Sequence, residues 1–263
     1  MKKSLSIILL ALCLSTTALA DHTVTMRTTF EDPAAASMKM SSVTRTKNQR
    51  QRIEDTTDMG VFKMVTVRLV MCDLEQEAQI DPEAKIYSVR SLNALSSMGD
   101  PSKPVQAAKG TGKMTTHVKV EDKGVEKVAQ VDARHWIVES AMTGSGCIGT
   151  FDYKSRREFW TSALPAFSCP ILNGAWTNQD IDGCKVSNEM TGDVDKFMES
   201  MKHQVVREII YADGKKAMTR ELVDFSTAEL DESLFSLDGY RKVSEEEFQA
   251  AQQQKMMDMY KPK

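Results

Sequence analysis

The chain has no apolar stretch long enough to cross a bilayer, which takes about 20 residues. Its run from Ile7 to Leu14 is far too short, and no later segment supplies one, so no transmembrane segment is expected. It also lacks the concentrated basic footprint that nucleic-acid binding requires. Lys and Arg number 34 against 37 Asp and Glu, a net charge of −3, and no nucleic-acid partner is expected. Neither pair among the later cysteines has Cys-x-x-Cys spacing with a ligating His nearby, which argues against zinc. The four histidines, His22, His117, His135 and His203, form no His-Glu-x-x-His motif. No Gly-x-Ser-x-Gly elbow presents a nucleophilic serine. The absence of internal repeats and of Pro- or Ser-rich linkers points to one domain. No metal or cofactor is expected.

The first 20 residues are expected to be a cleavable signal peptide. Lys2 and Lys3 open it, an apolar core follows, and it ends in Ala18-Leu19-Ala20 before Asp21. The mature protein would begin at or near Asp21 and be periplasmic or secreted in a bacterium. Losing Lys2 and Lys3 against 37 acidic residues leaves −5. Cys13 leaves with the signal, so Cys72, Cys147, Cys169 and Cys184 remain. An even count in an exported chain reads as disulfides, with three pairings open. The expected one is Cys169–Cys184, across a segment holding Pro170, Gly174 and Gly183 that can fold back, which leaves Cys72–Cys147.

From Asp21 onward the hydropathy alternates with the period of half-buried strands. Val24 to Phe30 is one, and Val65, Val67, Leu69 and Met71 mark another. A short strand, a turn at Asp81-Pro82-Glu83-Ala84 and renewed extension at 85–89 follow. A polar stretch over 96–112 reads as a long surface loop. Hairpins are expected at 116–131 around Asp122-Lys123-Gly124, and at 205–225 around Asp213-Gly214. Further strands lie over 134–142 and 156–161. Helical spacing covers 194–202. Capping boxes begin at Ser226 and Ser244, the second opening a final helix towards Met259 and a frayed tail. The fold class is therefore mainly β (α+β), with residues 21–243 as a single antiparallel domain and 244–263 as a C-terminal helix and tail.

Gly144-Ser145-Gly146-Cys147-Ile148-Gly149 matches the dinucleotide fingerprint in letters, but that motif needs a helix after it. Here an extended segment follows, and the match is read as accidental. His135 lies within a strand pattern and reads as a sheet side chain. Arg45, Lys47, Arg50 and Arg52 read as a solvated strand face, with an anionic surface such as lipid headgroups as the alternative. Seventeen methionines fill irregular cores or line adaptable apolar sites.

Three stretches together carry a family resemblance: the Thr-rich strand pair with Arg50-Gln51-Arg52, the hairpin Ile80 to Tyr87, and the ending Leu234 to Val243. The pattern, spread over most of 23–243, resembles an exported bacterial domain-of-unknown-function family distantly similar to the LolA/LolB-like periplasmic lipoprotein carriers. The resemblance implies a strongly curved antiparallel sheet or incomplete β-barrel with a few helices against its concave face. Carriers of that fold hold acyl chains in an apolar cavity, and no catalytic residues come with them. The four cysteines, the Gly-rich loop and the low helix content depart from the carriers. The expectation is a non-enzymatic protein binding a lipid or other hydrophobic small molecule, with Trp136, Phe159 and Trp160 among the liners. The alternative is an envelope structural or interaction protein whose concave face its own helices fill. An envelope hydrolase, the third reading, requires clustered carboxylates or a Ser–His contact in a cleft.

Overall fold

Period-two alternation makes each strand two-faced, and the pairing register decides which residues share a face. The computed structural model describes residues 21–259 apart from 33, 34, 36, 61, 93–109, 171–177, 182 and 213. The expected signal peptide lies outside the described residues, as does most of the loop expected over 96–112.

The chain opens with a meander: β1 His22–Phe30, β2 Lys39–Lys47, β3 Arg50–Asp58, β4 Lys63–Met71, β5 Gln76–Asp81 and β6 Ile86–Ser91. A second meander follows with β7 Gly110–Val128, β8 Val131–Gly146 and β9 Phe151–Ser162. An excursion then forms β10 Asn178–Ile181, β11 Cys184–Gly192 and helix α1 Val194–Ser200. The chain returns through β12 Gln204–Ala212 and β13 Lys215–Ser226, then a two-residue β14 Arg241–Lys242 and helix α2 Glu245–Met259. The fourteen strands of the described residues join one sheet in the order β10-β11-β7-β8-β9-β12-β13-β1-β2-β3-β4-β5-β6-β14. The sheet is curved and open rather than closed. Its pairings are antiparallel except β11 with β7 and β14 with β6, near its two ends.

Strand β1 is the seam between the meanders, paired with β2 on one side and β13 on the other. The central core forms there from Val24, Met26, Leu222, Val206 and Trp160, all at most 5% exposed. On the opposite face of β4 and β5, Val67, Leu69, Met71, Ala78 and Ile80 bury Phe235, delivered by the segment after β13. The basic run holds that segment down. Lys47 Nζ donates to the Leu230 carbonyl (2.7 Å), Arg52 Nη1 to that of Leu234 (3.2 Å) and Arg50 Nη1 to that of Phe235 (3.4 Å). Lys47, Arg50 and Arg52 are therefore clamps on main-chain carbonyls, not a solvated face, and Arg45 pairs with Glu54 at 2.9 Å. The correction has a simple cause: a loop laid across a sheet needs donors for its carbonyls.

The hairpin at 205–225 is present as β12 and β13, and the capping box at Ser244 holds, its Oγ accepting the Glu247 N–H at 3.1 Å. Ser226 instead ends β13 and accepts from Ala228 N–H without starting a helix. The turn expected at Asp122-Lys123-Gly124 is a β-bulge: Asp122 faces Trp136 and Gly124 faces His135, so β7 runs on to Val128. The chain reverses instead at Ala129, whose φ is +51°.

The disulfides differ from the expected pairing. Cys72 joins Cys169, and Cys147 joins Cys184. The parallel pairing brings Cys184 opposite Gly110 of β7, while the Cys147 N–H donates to Thr111 O on the same strand. The segment 163–170 carries Cys169 to Cys72, beside Val70 and Leu92. The Gly-rich run serves this corner: at Gly146, with φ +77°, a Cβ would stand 2.3 Å from Thr111 O. β9 follows it, not a helix, and no dinucleotide motif exists there.

Non-reducing peptide mapping is expected to recover Cys72 with Cys169 and Cys147 with Cys184, and never Cys169 with Cys184. Replacing Cys72 and Cys169 together by Ser opens a loop of 97 residues, a loss of about 2–4 kcal/mol in the usual range for disulfides, read as a lower urea midpoint.

Candidate functional site

Beside the central core, one face of β13, β1, β2, β3 and β4 remains uncovered along part of its length by described residues. The register lays it out in rows. Arg220, Thr28, Met40 and Thr57 stand side by side. The next row is Leu222, Met26, Ser42, Asp55 and Thr66, and the next Phe225, Val24, Thr44, Ile53 and Arg68. The last is His22, Thr46, Gln51 and Val70. Side chains from these rows floor a groove of about 680 Å³. Phe167, packed against Val70 and the Cys72–Cys169 disulfide, walls the His22 end together with Gln204.

The groove is graded. At one end His22, Val24 and Met26 are buried; at the other Met40, Met218 and Thr57 are half-buried and Arg220 is exposed. Hydroxyls recur among the apolar side chains at Thr28, Ser42, Thr44, Thr57 and Thr66. Arg68 and Asp55 pair across β4 and β3 at 3.6 Å.

A second hollow of about 350 Å³ lies between α2 and strands β4 and β5, and shares Thr66 and Arg68 with the groove. Phe248 seats α2 against Ile86 and Val243. Asp81 anchors it, accepting from Gln252 Nε2 at 2.6 Å while its other oxygen takes the N–H groups of Glu83 and Ala84, each at 2.9 Å. Burial raises the Asp81 pKa, but the Ala84 N–H, Gln252, the Lys255 charge and the Glu83 N–H together hold it below the ordinary carboxylate range.

The expected liners lie elsewhere. Trp136 and Phe159, 4% and 0% exposed, pack with Val120 and Val138 beneath Phe197 of α1. Trp160, 4% exposed, is in the other cluster with Val24 and Met26, and so supports the groove floor from beside it. Their indole N–H groups are both taken, Trp136 donating to the buried Thr161 Oγ1 at 2.9 Å and Trp160 to the exposed Glu126. Guanidinium groups cover the rings, Arg134 over Trp136 at 4.9 Å and Arg157 over Phe159 at 4.7 Å. The groove residues that sequence reasoning missed alternate visibly along β1 as Val24, Met26 and Thr28; what the sequence does not carry is which strand lies beside β1.

A third hollow of about 510 Å³ on β7, β8 and β9 is ringed by His117, Lys119, Glu139, Lys154, Arg156 and Tyr211. Next to it Tyr211 donates to Glu158 at 2.7 Å, and His135 Nε2 lies 2.9 Å from the same carboxylate. The Glu158 hydrogen bond, with burial, raises the Tyr211 pKa. Ser140 and Ser155 also line the hollow, their hydroxyls 2.7 Å apart. Among the described residues no group of three or more His, Cys, Asp or Glu side chains could hold a metal ion, and no helix is long and apolar enough to cross a membrane.

Asp81→Ala is expected to cost about 1–3 kcal/mol, the loss from leaving several donors unpaired, and to speed hydrogen exchange in α2 relative to β1. The sign with pH follows from the lowered pKa. The Asp81 contribution is complete above the unfolded value of about 3.9 and is lost as pH falls through the folded value. Wild-type α2 should therefore lose protection in acid, and Asp81→Ala should show a flatter profile.

No protein-family model matches the chain, and no curated protein matches it either.

Proposed function

We propose that the protein is an exported, non-enzymatic binder of an amphiphile, held along the groove on β13, β1, β2, β3 and β4. The observation that carries this reading is the gradient of the groove. Val24, Met26 and Phe167 supply apolar contact towards the buried end, hydroxyls recur along the whole floor, and the charged Arg220 stands at the exposed end. An acyl chain with a polar head has the same polarity. The size fits as well: His22 to Thr28 spans six residue steps, about 20 Å of strand. One leaflet's acyl chain occupies roughly 15 Å, half of a ~30 Å hydrocarbon core. Two disulfides suit an oxidising compartment, and the basic-then-apolar start of the sequence supports delivery there. The periplasm of a bacterium is the destination proposed.

The alternative, a structural protein whose face is filled by its own helices, has less support. Among the described residues α2 is seated against β6 and reaches only the β4–β5 side of this face.

Protein purified from its own envelope without detergent exchange is expected to carry lipid in native mass spectrometry and to take up a fluorescent fatty acid. Ile53→Ser and Met40→Ser, at half-buried positions that need not disturb folding, together remove several methylene contacts worth about 0.8 kcal/mol each. Uptake should weaken about tenfold or more with thermal stability nearly unchanged. Protein that is repeatedly lipid-free and takes up no fatty acid would overturn the reading.

A further inference from the structure

We infer that the amphiphile is anionic and that Arg220 holds its acidic headgroup at the exposed end of the groove; this rests on the proposed function and specifies its ligand. The charges facing the groove are few. Arg68 is compensated by Asp55 at 3.6 Å. The residue facing Arg220 across the neighbouring strand is Glu208, and that carboxylate is already taken by Arg157 Nε at 2.5 Å. Two arginines thus face one carboxylate, and Arg220 is the one left over: among the described residues its guanidinium has no hydrogen-bond or ion-pair partner, and it is exposed.

Its surroundings suit a headgroup. Thr28 stands directly beside Arg220 on β1, with Met40 next and Thr57 beyond it in the same row. A planar guanidinium binds carboxylate or phosphate oxygens through paired N–H donors, and the threonine hydroxyls add donors at the same level. From that row the floor runs through Met26 and Val24 towards Phe167, so a chain attached to the head would leave water as it descends. The chemistry requires a single negative head on one long apolar chain; a fatty acid and a lysophospholipid with a phosphate monoester both satisfy it.

The experiment compares oleate, oleyl alcohol, lysophosphatidate and inorganic phosphate on wild type and Arg220→Gln by displacement of a fluorescent fatty acid. Oleate is expected to bind wild type about tenfold or more tightly than oleyl alcohol, a difference of about 1.4 kcal/mol, and salt should narrow the gap. Arg220→Gln should abolish the preference, and an unchanged circular dichroism spectrum and thermal midpoint show that the variant is folded. Arg220→Lys should restore part of it. The tighter of oleate and lysophosphatidate identifies the acid. Equal binding of oleate and the alcohol to wild type, or an unchanged ratio in Arg220→Gln, overturns the headgroup assignment and leaves the carrier reading intact. Tight binding of inorganic phosphate alone overturns the amphiphile in favour of a free anion. Binding of no chain at all overturns both readings.

Discussion

The structure depends on one pairing, that of β1 with β13. Two meanders, each with local antiparallel turns, would otherwise be separate sheets. Eight register pairs between Thr23 and Phe30 on one strand and residues 218–226 on the other join them. The bulge at Thr25/Met26 lets Val24 and Met26 face the same side as Leu222 and Phe225. The central core lies across this seam, with Val24 and Met26 from β1 and Leu222, Val206 and Trp160 from β13, β12 and β9. The groove lies on the same seam. Its two edges, Arg220 and Met218 on one side and Thr66 and Arg68 on the other, come from opposite ends of the chain, so only the long-range pairing makes a site of them.

The two faces of this region are finished differently. On β4 and β5 the apolar face is sealed by Phe235 and its neighbours, and the arriving main chain is held by Lys47, Arg50 and Arg52. Lys47 also pairs with Asp21 at 3.1 Å, and Asp21 accepts the Leu230 N–H at 2.8 Å, so the start of β1 and the segment after β13 are locked together a second time. The other face receives only partial covers, the 163–170 strap tied by Cys72–Cys169 and helix α2 tied by Asp81. A fold that sealed both faces by the same means would have no groove.

Local chemistry was legible in the sequence wherever neighbours in the chain are also neighbours in space. The strand pattern of Val24 to Phe30, the hairpin around Gly214 and the capping box at Ser244 all became the elements they announce. Asp122-Lys123-Gly124 shows the limit. Asp122 Oδ1 accepts the Gly124 N–H at 2.9 Å, as it would in a turn, and the left-handed Gly124 fits both turn and bulge. Only the opposite strand, which keeps Trp136 and His135 in place against them, makes the site a bulge. The cysteines follow the same rule. Cys169 and Cys184 are close in sequence, yet the parallel pairing of β11 with β7 takes Cys184 to Cys147. Large aromatic residues at 136, 159 and 160 signal burial in the sequence, and burial is where the structure puts them; a groove needs side chains that tolerate water.

That tolerance explains the composition of the floor. A binding face on an open sheet is solvated when empty, and a continuous apolar surface of several hundred square ångströms would invite association with other chains. Threonine avoids the conflict, because its methyl packs on a pleated surface while its hydroxyl finds water or a neighbour. Thr28, Thr44, Thr57 and Thr66, with Ser42, interleave with Met26, Met40, Ile53 and Met218, so no row is wholly apolar. The methionines add contact area that adapts to the guest without a rigid shape of their own. Such a floor gives up some affinity per unit area relative to a dry cavity. In exchange, a chain can leave it without exposing a surface the protein must immediately hide, which is the property that reversible holding of an amphiphile demands.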